Sequence, residues 1–219
     1  MLKDFISALL NDNICSVEVR YIVKKIDQLT QLLENKNGYI QTKDALMLGV
    51  SVPYFHEFVA KNSLICVARG LYRTQDAWQD ELYEISALNS RICFSHETSL
   101  YLNNLMEREP FEITVTVPRG YNATHLRKRK IRVYQMGPEQ FLLGKTELPT
   151  IFGNMVAVYD KERSICDLLR NKNNTDVQVF QFAFKSFFAR RDKNIPLLMR
   201  YAKEFNIENS MRKYMEVLI

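Results

Sequence analysis

The sequence predicts an α+β protein: an N-terminal winged helix-turn-helix, then a second domain that joins a small β-sheet to a helical C-terminal bundle. Three observations predict it. Only 7 glycines and 6 prolines in 219 residues leave few points at which the chain can break, which favours helices joined by short turns over a many-turned β-sandwich. Apolar residues recur at helical spacing over residues 17–35 and again from Val177 onward. Between these stretches lie short β-prone runs punctuated by glycine turns.

Residues 17–35 carry Val19, Ile22, Val23, Ile26, Leu29 and Leu33 at spacings of three and four, the mark of an amphipathic helix with one buried face. Asn37-Gly38 ends it. Thr42 is expected to cap a short helix through Leu48, with Ala45, Leu46 and Leu48 available for packing. Gly49-Val50-Ser51 breaks the chain. Ser51 then caps a third helix whose Pro53 falls in the first turn, where no intrahelical donor is lost. On that helix Val52, Phe55, Phe58 and Val59 share a face, while Tyr54, His56, Glu57 and Lys61 point away from it. The runs 64–68 and 71–73 flank Arg69-Gly70 and read as a hairpin. This order is that of a winged helix-turn-helix, assigned to residues 1–75. Residues 76–90 contain Asp76, Asp80, Glu81 and Glu84 with no Lys or Arg, which suits a solvated connector, and residues 91–219 form the second domain.

In the second domain, residues 111–117 alternate as a strand, Pro118-Arg119-Gly120 turns, and residues 131–134 form another strand after a basic loop. Residues 152–159 supply a third strand. Asp160 caps a helix through Arg170, in which Arg163 and Asp167 are one turn apart. Three apolar helical stripes follow: Val177, Phe180, Phe184, Phe187 and Phe188; Leu197, Leu198, Tyr201 and Phe205; and Met211, Tyr214, Met215 and Leu218.

Lysine plus arginine number 30 against 25 acids, a formal net charge of +5 that suits a polyanionic partner. The opening residues lack the apolar run of a signal peptide and no stretch is apolar enough to span a bilayer, so a cytoplasmic protein without a membrane partner is expected. Cys15, Cys66, Cys93 and Cys166 stand tens of residues apart with no CxxC pair, so no zinc or redox motif is supported and they read as small hydrophobes.

No GxSxG, GxGxxG or GxxxxGK[ST] motif is present, so acyl transfer, dinucleotide binding and P-loop chemistry have no scaffold. His96-Glu97 lacks the second histidine of a zinc-protease helix and reads as a helix start with Ser95 as its cap. Thr114 stands where a Glu-x-Lys nuclease strand beginning at Glu112 would need lysine. Asp160-Lys161-Glu162-Arg163 reads as a helix N-terminus stabilised by its acids. No catalytic residue, metal or cofactor is therefore expected. An enzyme acting on nucleic acid would have to rely on Glu97, Asp160 and Glu162.

A helix-turn-helix presents the second helix of its pair, here the one that begins at Ser51, to the major groove, which makes Thr42, Lys43, Ser51, Tyr54, His56 and Lys61 the expected DNA face. Arg69 at the wing tip would reach a minor groove or phosphates, and Arg73 is a weaker phosphate contact. Residues 38–73 carry four cations against Asp44 and Glu57. So few phosphate contacts imply cooperation between copies on repeated half-sites, or else a winged helix used to dock protein. A second basic patch, Arg119, Arg127, Lys128, Arg129, Lys130 and Arg132, spans a stretch without an acid. It is either a solvated loop or a second anionic contact on which Tyr121 and Tyr134 could stack bases.

Four phrases in order resemble the AbiEi family of antitoxins from bacterial abortive-infection toxin-antitoxin systems. They are Val67-Ala68-Arg69-Gly70-Leu71-Tyr72-Arg73, Ser95-His96-Glu97-Thr98-Ser99-Leu100-Tyr101-Leu102, Val115-Thr116-Val117-Pro118, and the run from Val158 through Asp160-Lys161-Glu162-Arg163 to Leu169. The resemblance covers residues 38–191. It implies a winged helix-turn-helix that represses its own operon by binding inverted repeats in operator DNA. It also implies a C-terminal domain that antagonises a cognate nucleotidyltransferase-like toxin, AbiEii, directly or indirectly, as part of phage defence. Within it the His96 segment and the helix from Asp160 are fold signatures rather than catalytic ones. Residues 1–16 lie outside it.

Overall fold

The computed structural model describes residues 16–218, with side chains described for residues 24–216. Cys15, and the side chains of Val19, Ile22, Val23 and Leu218 that were expected to face inward, lie outside what is described. The chain divides into two compact units, Met1–Asp80 and Glu81–Ile219. Helical and strand segments of both units make it an α+β protein.

In the first unit, α1 (Ser16–Asn35) is followed by β1 (Tyr39–Gln41), α2 (Thr42–Met47), α3 (Val52–Lys61), β2 (Ile65–Ala68) and β3 (Leu71–Arg73). The strands form an antiparallel sheet of order β1-β3-β2, with Ile40 opposite Tyr72 and Cys66 opposite Tyr72 on the other side. The strand β1 was not expected from sequence, because three residues are too few to show alternation. Leu29, Leu33, Ile40, Ala45, Val50, Phe55 and Phe58 make the core. Each large side chain buried there contributes roughly 1.5–3 kcal/mol.

Gly38 is required where α1 turns into β1. Its φ is +83°, and a Cβ would fall 2.5 Å from Thr74 Oγ1 and 2.6 Å from Ala77 Cβ. The Tyr39 hydroxyl fixes the chain beyond the hairpin, accepting from the Asp80 N–H at 2.9 Å and donating to the Trp78 carbonyl at 3.2 Å.

Two expectations need correction here. Thr42 begins α2 rather than capping it: Gln41 is the cap residue, and its N–H donates to Asp44 Oδ2 at 3.1 Å. Ser51 is the cap residue of α3 but makes no side-chain cap hydrogen bond.

The second unit contains a five-stranded mixed sheet of order β6-β5-β4-β8-β7. Its strands are β4 (Cys93–Phe94), β5 (Thr114–Pro118), β6 (Arg132–Met136), β7 (Lys145–Pro149) and β8 (Met155–Tyr159). The β4–β8 and β5–β6 pairs are parallel and the β4–β5 and β7–β8 pairs antiparallel. Five helices lie between strands or directly after them: α4 (Glu81–Leu88), α5 (His96–Leu102), α6 (Thr124–Lys128), α7 (Pro138–Leu142) and α8 (Lys161–Arg170). The chain ends in α9 (Val177–Ala189), α10 (Ile195–Glu204) and α11 (Glu208–Leu218).

Side-chain alternation divides the core into two. Phe94, Val115, Val117, Val156 and Val158 pack with Ile85, Leu126 and Ile131, while Cys93 and Tyr159 pack with α8 and the C-terminal helices.

Several expectations for this half are revised. The helix after Asp80 is no solvated connector, since Ile85 is fully buried in the second unit. The strand expected over 111–117 begins at Thr114, and Phe111 is fully exposed. The basic loop contains the short helix α6, whose Leu126 is buried while its cations face solvent. Strands β4 and β7 and helix α7 were not expected at all. By contrast, Asp160 does cap α8, its Oδ1 accepting from the Arg163 N–H at 2.7 Å.

Candidate nucleic-acid interface

The candidate surface is built from α2, the Gly49 turn, α3 and the β2–β3 turn. The loop between the strands holds two residues, Arg69 and Gly70, and Gly70 adopts φ +78°, as so tight a hairpin demands. The Gly70 carbonyl accepts from the Thr42 N–H at 3.0 Å, fastening the turn to the first residue of α2. Two lysines not singled out by the sequence brace the other side. Lys25 of α1 donates to the Leu48 carbonyl at the end of α2, and Lys36 pairs with Asp44 at 2.8 Å. Their roles are invisible in sequence because each partner is distant along the chain or lies on another element.

On this scaffold Lys43, Ser51, His56, Lys61 and Arg69 are exposed, while Thr42, Tyr54 and Arg73 are partly covered. Lys43 and Arg69 form no ion pair or hydrogen bond among the described residues. Lys61 is engaged by Glu57 one turn earlier at 2.6 Å, both side chains about half exposed. Such a pair contributes only about 0.3–0.5 kcal/mol and opens readily toward a phosphate.

Two expected contacts are displaced. Arg73 Nη1 donates to the Ala77 carbonyl at 2.6 Å, so its guanidinium is turned onto the segment after the hairpin. Tyr54 packs against the core of the first unit, and its hydroxyl is buried with no hydrogen-bond partner among the described residues. Burial, with Glu57 adding to it, raises the phenol above its ordinary pKa. The helical spacing that seemed to turn Tyr54 outward missed how far the core wraps around α3.

The second basic patch is less uncompensated than its sequence suggests. Arg132 pairs with Glu112 at 2.7 Å and Arg129 lies 3.8 Å from Glu81. Arg119, Arg127, Lys128 and Lys130 remain exposed and unpaired among the described residues. Neither nearby tyrosine is a free stacking platform. The ring of His96 stacks on Tyr134 at 3.6 Å, and the Tyr121 hydroxyl is bonded to Asn89 at 3.2 Å with Arg91 over its ring.

Two of the three acids that an enzyme would need are used by the fold, while the third, Glu97, is partly buried and its pKa is raised by desolvation. Asp160 accepts from Arg163 and, at 2.9 Å, from the Tyr201 hydroxyl; Glu162 is buried and accepts from the Asn194 N–H at 2.9 Å. Arg163 is 0% exposed between the rings of Tyr159 and Phe205, and pairs with Asp167 at 3.0 Å. Its Nη1 donates to the carbonyls of Gln140 and Leu143, and Nη2 faces Met136 Sδ.

His96 is buried with φ +50°, and desolvation lowers its pKa to about 4. Thr98 and Thr114 exchange backbone-to-hydroxyl bonds of 3.1 and 2.8 Å, clipping α5 to β5. Among the described residues no group of three or more His, Cys, Asp or Glu could hold a metal ion, and no helix is long and apolar enough to cross a membrane.

No protein-family model and no curated protein matches the chain. Among solved structures it is similar to the crystal structure of the RV2827C protein from Mycobacterium tuberculosis, with a TM-score of 0.50 at 10% identity. That match covers 82% of this chain and 71% of the other, and at such identity the likeness is one of fold.

Proposed function

We propose that this chain is a DNA-binding autorepressor and the antitoxin of an abortive-infection toxin-antitoxin pair, acting in the cytoplasm without catalysis of its own. The observation that carries the reading is the arrangement of α2, α3 and the hairpin turn, with Arg69 at the turn and Lys43 on α2 both exposed and, among the described residues, unpaired. A helix pair of this kind beside a small cationic flap fits a major groove and its flanking phosphates. The antitoxin part rests on the resemblance of the four phrases to AbiEi proteins, whose partner would be a nucleotidyltransferase-like toxin.

With only two unpaired cations among the expected contacts, one copy holds few phosphates. Inverted repeats would then be bound cooperatively by several copies. The exposed cations around α6 are available for flanking phosphates.

The test is a mobility-shift titration with duplex DNA from upstream of the protein's own reading frame and a scrambled duplex of equal length. Preferential, salt-sensitive and cooperative binding to the upstream duplex is expected. Equal affinity for both, or none, would remove the repressor reading. Rescue of growth on co-expression with a nucleotidyltransferase-like product of the neighbouring gene tests the antitoxin part.

A protein-docking winged helix is the second reading. Leu46 at 51%, Met47 at 85% and Val52 at 40% exposure on α2 and α3 favour it. Stable co-purification of a partner with no salt-sensitive DNA binding would select it.

A further inference from the structure

The most distinctive concavity outside the winged helix lies in the C-terminal bundle. A groove of about 480 Å3 runs between α9 and α11, floored by Phe180, Phe184 and Tyr214 and rimmed by Lys172, Lys185 and Lys213. No acid lines it. All three lysines are exposed, and none forms an ion pair among the described residues. Its size falls within the roughly 300–1,000 Å3 usual for ligand sites.

Three features identify its occupant. First, the apolar floor continues along α9: Val177, 67% exposed, stands three residues before Phe180 and seven before Phe184. Residues at i, i+3 and i+7 form one stripe about 10 Å long, the reach of two helical turns rather than of a compact small molecule. Second, the ring faces are used within the protein. Phe180 and Phe184 stack on each other at 4.5 Å, and Tyr214 is tilted by 59° and 46° against them, so mostly edges remain for a visitor. Edges receive aliphatic and aromatic side chains; a nucleobase needs an open face. Third, the charged residues of the rim are all lysines, beside the uncharged Gln181 and Ser210. Lysines are mobile point charges suited to scattered carboxylates, whereas phosphate recognition favours the bidentate fork of arginine.

From these observations we infer that the α9–α11 groove docks an acidic amphipathic helix of a partner protein, its apolar anchors on the aromatic floor and its carboxylates on the three lysines. This is the helix-in-groove mode of recognition, with charge complementarity setting orientation and encounter rate. All the residues belong to the second unit, so the inference stands apart from the winged helix and its DNA.

The experiment uses the full chain and a fluorescein-labelled synthetic helical peptide with Leu and Phe at i, i+3 and i+7 and Glu on its flanks, followed by anisotropy. The controls are a scrambled peptide of the same composition, a Lys-for-Glu peptide, a single-stranded oligonucleotide and dodecanoate as a small anionic amphiphile. The acidic helical peptide is expected to bind saturably, at least about tenfold more tightly than the scrambled and basic peptides, and to lose about tenfold or more in the triple variant Lys172→Glu/Lys185→Glu/Lys213→Glu. Those exposed substitutions should leave the unfolding midpoint unchanged, which separates lost docking from lost fold. The inference is overturned by absence of saturable binding, by equal binding of the scrambled peptide, or by indifference to the triple variant. It is equally overturned if the oligonucleotide or dodecanoate occupies the groove more tightly than the peptide.

Discussion

Arg163 and Arg69 put the same guanidinium to opposite uses in the two units. Arg163 has no exposed surface, lies between two aromatic rings, and has every nitrogen engaged by Asp167, two carbonyls or a thioether. Arg69 stands exposed on a two-residue turn with no partner among the described residues. A buried cation must be satisfied from within, because its desolvation leaves no other way to be stable, and once satisfied it has nothing to offer a ligand. An exposed cation contributes almost nothing to folding and keeps its full capacity for an anion. The conspicuous charged phrase at Asp160–Arg163 is therefore architecture, and the inconspicuous Arg-Gly turn is the candidate for recognition.

The contrast can be broken most severely at Arg163. Arg163→Met should cost about 3–5 kcal/mol in denaturant unfolding, because the carbonyls of Gln140 and Leu143 lose their donor and the buried Asp167 keeps only Arg170, at 3.1 Å. Combining it with Asp167→Leu should recover much of that loss; an equally unstable double variant would mean the rings and carbonyls, not the ion pair, dominate.

A somewhat smaller effect is expected from acid. His96 faces Asp167, Arg170, Arg163 and Arg132, and titrates near 4 when folded against an ordinary 6.5. Between those values the unfolded chain binds the proton and the folded chain does not, so stability rises with pH. The stability is complete above about 6.5 and falls by up to about 3 kcal/mol as pH drops toward 4. His96→Asn, which tolerates positive φ, should flatten that part of the pH profile. An unchanged profile would relocate the proton uptake.

The smallest effect sharpens the comparison within the first unit. Tyr54→Phe removes a buried hydroxyl that has no partner among the described residues, and should leave stability unchanged or raised by about 1 kcal/mol, with DNA affinity intact. A marked loss of DNA affinity would return Tyr54 to the interface.

Much of this architecture is legible in the sequence because it rests on local rules. The Asn37-Gly38 stop, Pro53 in the first turn of α3, the Arg69-Gly70 hairpin and the Asp160 cap all depend on backbone preferences of single residues. The elements that escaped reading have no local signature. Strands β1 and β4 contain three and two residues, too short to alternate, and exist only because β3 and its counterparts β5 and β8 pair with them. The candidate interface was legible in type but not in pairing. Nothing nearby in sequence announces that Glu112 meets Arg132 or that the Tyr54 hydroxyl is buried, since each is decided by packing between distant segments. The groove between α9 and α11 was hidden for the same reason, its three lysines lying on three separate elements.

The most direct measurement is the salt dependence of operator binding by the wild type and by Lys43→Ala/Arg69→Ala, with unfolding followed in parallel. Two phosphate contacts fewer should reduce the slope of log K against log salt by about 2, with stability within about 0.5 kcal/mol of wild type. An unchanged slope with a folded variant would contradict the assignment of these two cations to DNA.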